Sequence, residues 1–105
     1  MNFSISKQTF QYIVNAPLCL SLNKLNFKYR VTTDYSLGFV LPRSLGMANK
    51  RNQFKRRCRS IVRNLFSKDK IPTIGLIVAP KKLDITYKEL CKSFELLSDN
   101  IIENI

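Results

Sequence analysis

The segment with the clearest chemical character is residues 49–64, which reads NKRNQFKRRCRSIVRN. Seven of its sixteen residues are Lys or Arg, and none is acidic. Cationic side chains bind phosphate oxygens, and Arg meets them with a planar fork of hydrogen-bond donors. Apolar residues such as Phe54 and Cys58 are interspersed among the cations, so the segment can pack against a core. This pattern indicates phosphate binding by a folded element.

Groups that carry out covalent or metal chemistry are sparse. The sequence has no His, and its three cysteines have no Cys-x-x-Cys spacing, so we expect neither a zinc site nor a disulfide framework. Three Asp residues are dispersed near predicted turns, where Asp is common for conformational reasons. We therefore expect no catalytic residue and no metal site in the protein. Free thiols are typical of a reducing cytosol and predict a cytoplasmic location.

The formal net charge of +11 is unevenly distributed. Residues 1–83 hold sixteen Lys or Arg and two Asp, a balance of +14, whereas residues 84–105 hold two Lys and five acids, a balance of −3. The excess of positive charge in residues 1–83 predicts a polyanion as the partner. No apolar run is long enough to span a membrane, and we expect no signal peptide. The length of 105 residues predicts a single domain over positions 1–105.

Hydrophobic periodicity predicts the elements that must position the basic segment. In chain order these are a helix at 6–14, a short strand at 17–22, strands at 23–31 and 35–42, the basic helix at 48–67, a strand at 72–80 and a helix at 86–105. We expect 23–31 and 35–42 to form an antiparallel hairpin, and the apolar strand 72–80 to be central with both faces covered. The order α-β-β-(β)-α-β-α predicts an α/β (α+β) two-layer sandwich.

The basic helix has two distinct faces, because successive residues are rotated by about 100°. The apolar face, which is expected to pack on the sheet, comprises Phe54, Cys58, Ile61, Val62 and Leu65. The cationic face comprises Asn52, Lys55, Arg56, Arg59 and Arg63, and Lys50 and Arg57 flank the apolar face. Like charges four residues apart repel. A face with charges of a single sign is therefore more typical of a phosphate-binding surface than of a solvated helix.

The last helix is predicted to begin with a capping box formed by Thr86 and Glu89. Its predicted buried stripe comprises Tyr87, Leu90, Cys91, Phe94, Leu97 and Ile101. Such a stripe would pack this helix on the sheet beside the basic helix.

Positions 51–59 follow the pattern R-N-x-x-K-R-x-x-R. This resembles the signature helix of the bacterial ribonuclease P protein component, whose motif has an Arg-Asn-Arg core; Gln53 stands at the third position of that core. The segment LGFVLPRSLGMANKRN also follows the family's order, supplying Leu37, Gly38, Arg43 and Gly46. The segment TFQYIV resembles the family's first helix, and the similarity extends over roughly residues 6–104.

The resemblance implies a ribosomal-protein-S5-domain-2-like fold and a role as the small subunit of a ribonucleoprotein that removes the 5′ leader of precursor tRNA. The partners would be a catalytic RNA subunit and precursor tRNA, with no membrane and no small-molecule ligand. The RNA would carry out the reaction with Mg²⁺, which the RNA and substrate bind rather than a protein site. The implied RNA-binding residues are Lys50, Arg51, Asn52, Lys55, Arg56, Arg59 and Arg63.

A cleft implied by the resemblance would hold the leader and comprise Phe10, Val14, Tyr29 and Arg43. Phe10 and Val14 could contact leader bases, or they could only pack the first helix on the sheet. Ser44 stands where the family usually has a second basic residue in the loop.

Two other functions share the same charge pattern. One is a ribosomal or ribosome-associated RNA-binding protein without a processing role. The other is a DNA-binding regulator that uses residues 49–64 as a recognition helix. The latter predicts a preceding helix and tight turn, whereas residues 35–42 indicate a strand.

Overall fold

A computed structural model of the chain describes residues 4–16, 19–22, 24–67 and 71–104. The elements in chain order are α1 (Lys7–Val14), β1 (Cys19–Leu22), β2 (Leu25–Val31), β3 (Ser36–Phe39), a short 3₁₀ helix (Arg43–Leu45), α2 (Ala48–Ser67), β4 (Ile74–Pro80) and α3 (Tyr87–Glu103). The predicted order of helices and strands is confirmed, including the short strand β1. The basic helix α2 occupies the predicted residues 48–67.

The four strands form one sheet in the order β1-β2-β4-β3. Strand β2 pairs antiparallel with both β1 and β4, whereas β3 pairs parallel with β4. The predicted antiparallel hairpin of residues 23–31 with 35–42 is therefore wrong, because β4 lies between the two strands. The apolar strand β4 gains most from the central place, where both edges and both faces are covered. The connection from β3 to β4 runs through α2, and parallel neighbours require a crossover of this kind.

Helices α2 and α3 cover one face of the sheet. The Phe27 ring of β2 meets Phe94 of α3 edge-on, with 5.2 Å between ring centroids. The buried residues of α2 are Phe54, Cys58, Val62 and Phe66. Ile61 and Leu65 of the predicted apolar face are only half-buried, and Phe66, which the prediction did not include, stacks on Tyr35 with centroids 4.3 Å apart.

Helix α1 lies on the opposite face, so the sheet carries helices on both sides. Side chains alternate along a strand, which places Lys28 and Arg30 on the reverse of the face that Phe27 occupies. The Lys28 ammonium group donates to the Val14 carbonyl oxygen at 2.8 Å, and Arg30 Nη1 donates to the Tyr12 carbonyl oxygen at 3.0 Å. These bonds satisfy carbonyl groups at the end of α1 that have no partner within the helix.

The close approach of α1 depends on Gly75, the second residue of β4. A Cβ atom at this position would overlap the Ile13 side chain and lie 2.8 Å from Ser36 Oγ. Ile13 is fully buried, so it has little room to move aside. A side chain at position 75 would therefore hold α1 away from the sheet.

The predicted capping box of α3 is present. Thr86 Oγ1 accepts from the Glu89 backbone N–H at 3.1 Å, and Glu89 Oε1 accepts from the Thr86 N–H at 3.1 Å. The Glu89 carboxylate also accepts from the Thr86 hydroxyl at 3.1 Å, and the two bonds that it accepts from the Thr86 N–H and hydroxyl are the main reason that its pKa is lowered. The predicted buried stripe is wrong at its first residue: Tyr87 remains 48% exposed, because it starts the helix beside the open space between α2 and α3. Cys91 of that stripe is half-buried.

We expect the Gly75→Ala variant to lose roughly 1–3 kcal/mol of unfolding free energy, because overpacking at a tight contact strains its neighbours. Thermal unfolding measures the effect. Gly46→Ala is the matched control, since its new methyl group would meet only the end of the Leu83 side chain, at 3.1 Å. Equal melting temperatures for Gly75→Ala and the parent protein would contradict the tight packing of α1.

Candidate nucleic-acid interface

The cationic face of α2, defined as Asn52, Lys55, Arg56, Arg59 and Arg63, points away from the sheet. All but Lys55, which is half-buried, are exposed. Within residues 4–16, 19–22, 24–67 and 71–104, the structure shows one ion pair, Lys24–Glu89 at 3.5 Å, far from this face along the chain. The cations of α2 therefore have no carboxylate partner in the described part of the chain. Their charge is available to an external anion.

The cationic face borders the edge strand β3. The Arg59 guanidinium lies over the Phe39 ring, 5.7 Å from its centroid. Phe39 in turn meets Phe54 of α2 edge-on, with 6.2 Å between centroids. A guanidinium over an aromatic face gains from the ring's negative potential. These contacts fix the position of Arg59 while its donors remain available.

Arg51 occupies the boundary between the cationic face and the core. It is half-buried, and its Nε donor is enclosed without a hydrogen-bond partner. A buried donor without an acceptor lowers stability. Arg51 therefore stands partly inside the core, and its RNA-binding role stays a prediction.

Lys50 lies on a different side of α2 from the other predicted RNA-binding residues. It lines a pocket together with Gln53 and Arg57, opposite the start of α3. The sequence pattern had placed Lys50 and Arg57 beside the apolar stripe, which agrees with this location. The structure therefore divides the cations of α2 between the cationic face and this pocket.

Phe10 and Val14 lie half-buried on α1. A Cβ atom on Gly38 of β3 would be 3.2 Å from Phe10 Cδ2, so the Phe10 ring rests directly on the β3 backbone. Val40 lies two residues beyond Gly38, on the same side of that chain by strand alternation, and is 42% exposed. Phe10 and Val40 therefore border an apolar strip of surface beside α1, called the groove below, and Lys28 lies at the C-terminal end of this helix. Neither Val40 nor Lys28 was among the residues predicted for the leader cleft.

Tyr29 does not belong to this groove, and its predicted place in the leader cleft is wrong. The side chain is 5% exposed and is part of the core under α2 and α3. Its hydroxyl donates to Asn100 Oδ1 of α3 at 3.0 Å. Because side chains alternate along β2, its neighbours Lys28 and Arg30 face α1 instead.

Arg43 lies exposed in the 3₁₀ helix that connects β3 to α2, and Ser44 follows it there, also exposed. Arg43 thus stands on the connection between the sheet and the cationic helix. The structure shows no hydrogen bond or ion pair for its side chain among the described residues.

The described residues offer little for covalent or metal chemistry. Burial raises the pKa of the Cys58 thiol well above its usual range, so this thiol is a core group. Within the described ranges there is no group of three or more His, Cys, Asp or Glu that could hold a metal ion. None of the helices in those ranges combines the length and apolar character that a membrane span requires.

Comparison with known proteins identifies the relatives of this chain. The family model for Ribonuclease P matches residues 5–101. The RNase P protein from Thermotoga maritima is similar with a TM-score of 0.76 and 25% identity, covering 93% of this chain and 96% of that one. The RNase P protein of Staphylococcus aureus has a TM-score of 0.78 and 21% identity, covering 97% and 99%. No curated protein matches the sequence.

A second structure of the Thermotoga maritima protein, in complex with 1-(4-fluorophenyl)-2-thiourea, has a TM-score of 0.75 and 27% identity, covering 90% of this chain and 95% of that one. These relatives share the α/β fold from the first helix to the last. The family match includes α1, the whole sheet and the cationic helix α2. The chain therefore belongs to the bacterial ribonuclease P protein family.

Proposed function

We propose that this protein is the subunit of ribonuclease P that binds the catalytic RNA through the cationic face of α2 and the 5′ leader of precursor tRNA through the groove beside α1. The observation that carries the proposal is the cationic face itself, whose charges have no carboxylate partner in the described part of the chain. Family membership supports RNA as the polyanion.

Charge repulsion along α2 supports an RNA partner. Lys55, Arg59 and Arg63 follow one another at intervals of four residues, and each such like-charge pair costs a few tenths of a kcal/mol. RNA phosphates would remove this repulsion and release counterions from the nucleic acid, which favours binding. Three of the four cations on this face are Arg, whose guanidinium can donate two hydrogen bonds to one phosphate.

We assign the chemical step to the RNA subunit. Mg²⁺ bound by that RNA and by the substrate would supply the nucleophile and stabilise the developing charge. The protein's own part is to bind and orient: α2 meets the RNA subunit, and α1 meets the substrate. A cytoplasmic location follows from this role and agrees with the free thiols of the chain.

The groove beside α1 suits a single-stranded leader. Single-stranded RNA is bound by stacking on aromatic rings together with backbone charge. Phe10 and Val14 supply apolar contact, and Lys28 supplies a cation at the end of α1. Arg43 lies between this side of the sheet and α2 in the chain, where it could contact the leader backbone.

We expect Arg51→Ala, Arg56→Ala and Arg59→Ala each to weaken binding of the RNA subunit and to lower the salt dependence of binding. Each lost phosphate contact reduces the slope of log K against log salt by about 0.7–0.9. Titrations over a salt series measure this slope. Lys92→Ala, an exposed cation of α3, removes the same charge away from this face and should leave the slope unchanged. Unchanged slopes for all three Arg variants would refute the interface.

We expect the isolated protein to cleave no precursor tRNA, because catalysis is assigned to the RNA subunit. The assay incubates the protein with precursor tRNA and Mg²⁺, with and without the RNA subunit. Site-specific cleavage by protein alone, persisting after nuclease treatment that removes contaminating RNA, would show that the protein carries out the chemistry.

We expect Phe10→Ala to weaken holoenzyme affinity for precursor tRNA by about 1–3 kcal/mol, the contribution of one stacked base. Mature tRNA, which has no leader, should bind with nearly unchanged affinity. Paired binding assays with the two RNAs measure the difference.

Phe10→Leu is the matched control, since it keeps most of the contact with Gly38 but removes the aromatic ring. If Phe10 stacks on the leader, Phe10→Leu also loses affinity for precursor tRNA while its melting temperature stays near that of the parent. If Phe10 only packs α1, Phe10→Leu binds normally, and Phe10→Ala loses roughly 3–5 kcal/mol of stability. That second pattern would remove Phe10 from the leader site.

A further inference from the structure

A pocket of about 660 Å³ opens between α2 and the segment that leads into α3. Its α2 wall is formed by Lys50, Gln53 and Arg57, which lie within about 60° of one another around the helix axis. The cationic face lies on another side of α2, so this pocket is a separate surface. Its volume is in the range of nucleotide-sized ligand sites, roughly 300–1,000 Å³.

Two positive charges, Lys50 and Arg57, line the pocket, and neither forms an ion pair with a described residue. Lys50 is exposed and Arg57 is half-buried. Asp84 also lines the pocket, yet in the described ranges the structure pairs it with neither cation, since Lys24–Glu89 is the ion pair found there. Arg57 also stands one helical turn after Gln53, the position at which the signature motif has Arg. Gln53 and Arg57 therefore lie on the same side of the helix.

An aromatic ring completes the pocket. Tyr87 lines it and is 48% exposed, although its place in the sequence pattern of α3 predicted burial. Aromatic faces and cations together form the usual site for an unstacked nucleotide, in which the base stacks and the phosphate is neutralised. The Gln53 amide and the Asp84 carboxylate can hydrogen-bond to base edges or to a ribose hydroxyl. An inorganic anion alone would use neither the ring nor Asp84.

We propose that this pocket binds one unstacked nucleotide of the RNA subunit, with its base against Tyr87 and its phosphate between Lys50 and Arg57. The inference rests on the proposed function, because it takes the RNA subunit as the partner. It adds a second contact surface on α2, so that the helix would be held by RNA on two sides.

Binding of the RNA subunit to the full chain tests the pocket. Tyr87→Ala should weaken binding roughly 5- to 150-fold, the equivalent of one stacked base, whereas Tyr87→Phe should bind like the parent. Arg57→Gln should lower the salt slope by about 0.7–0.9. Leu96→Ala, which removes an exposed apolar side chain elsewhere on α3, and Lys92→Ala are the controls. Thermal unfolding confirms that each variant is folded.

Near-parental affinity for Tyr87→Ala, or an unchanged slope for Arg57→Gln, would overturn the pocket if Arg56→Ala still weakens binding in the same assay. The proposed function would then stand without it. If Arg56→Ala also has no effect, both the pocket and the proposed function fail.

A second experiment titrates adenosine 5′-monophosphate into the full chain and follows the NMR resonances of Tyr87. Competition with the RNA subunit supports the inference, whereas binding without competition would show a site for free nucleotides only and would overturn it.

Discussion

The packing of the apolar face of α2 on the sheet is the interaction on which the rest of the structure depends. Burying side chains such as Phe54 and Val62 contributes about 1.5–3 kcal/mol each. Repulsion between neighbouring cations costs only a few tenths of a kcal/mol per pair. Burial therefore outweighs repulsion, and the helix can present cations of a single sign without unfolding. Cys58, fully buried between those two residues, belongs to the same contact.

The central strand β4 allows one small sheet to support the two surfaces that we propose bind RNA. Leu76 and Val78 face the core under α2 and α3, whereas Gly75 faces α1. The side chains of Leu76 and Val78 pack against the core under α2, and the lack of a side chain at Gly75 lets α1 approach the sheet. The two faces of one strand thus hold α2 with its cationic face on one side of the sheet and α1 with the groove on the other. The edge strand β3 borders both surfaces. Its Phe39 lies under Arg59 of the cationic face, and its Gly38 lies beside Phe10 of α1.

Much of this arrangement could be predicted from the sequence because it follows from local patterns. The bounds of α2, the capping box of α3 and the central place of β4 depend on periodicity, caps and continuous apolar character.

Strand pairing was predicted wrongly, because pairing of β3 with β4 is decided by long-range packing that local alternation does not encode. The family resemblance implied a place for Tyr29 in the cleft, but its position in β2 directs it to the core. Helical periodicity predicted Tyr87 in the buried stripe of α3, but its position at the first turn of the helix leaves it exposed.

The central claim is that α2 and α1 meet two RNAs of one processing ribonucleoprotein. Recovery of the tagged full-length protein from its native cells, followed by sequencing of the bound RNA, tests that claim most directly. The account predicts one large structured RNA, the ribonuclease P RNA, together with precursor tRNAs that retain their 5′ leaders. Enrichment of ribosomal RNA in their place would contradict it and would support a ribosome-associated protein without a processing role.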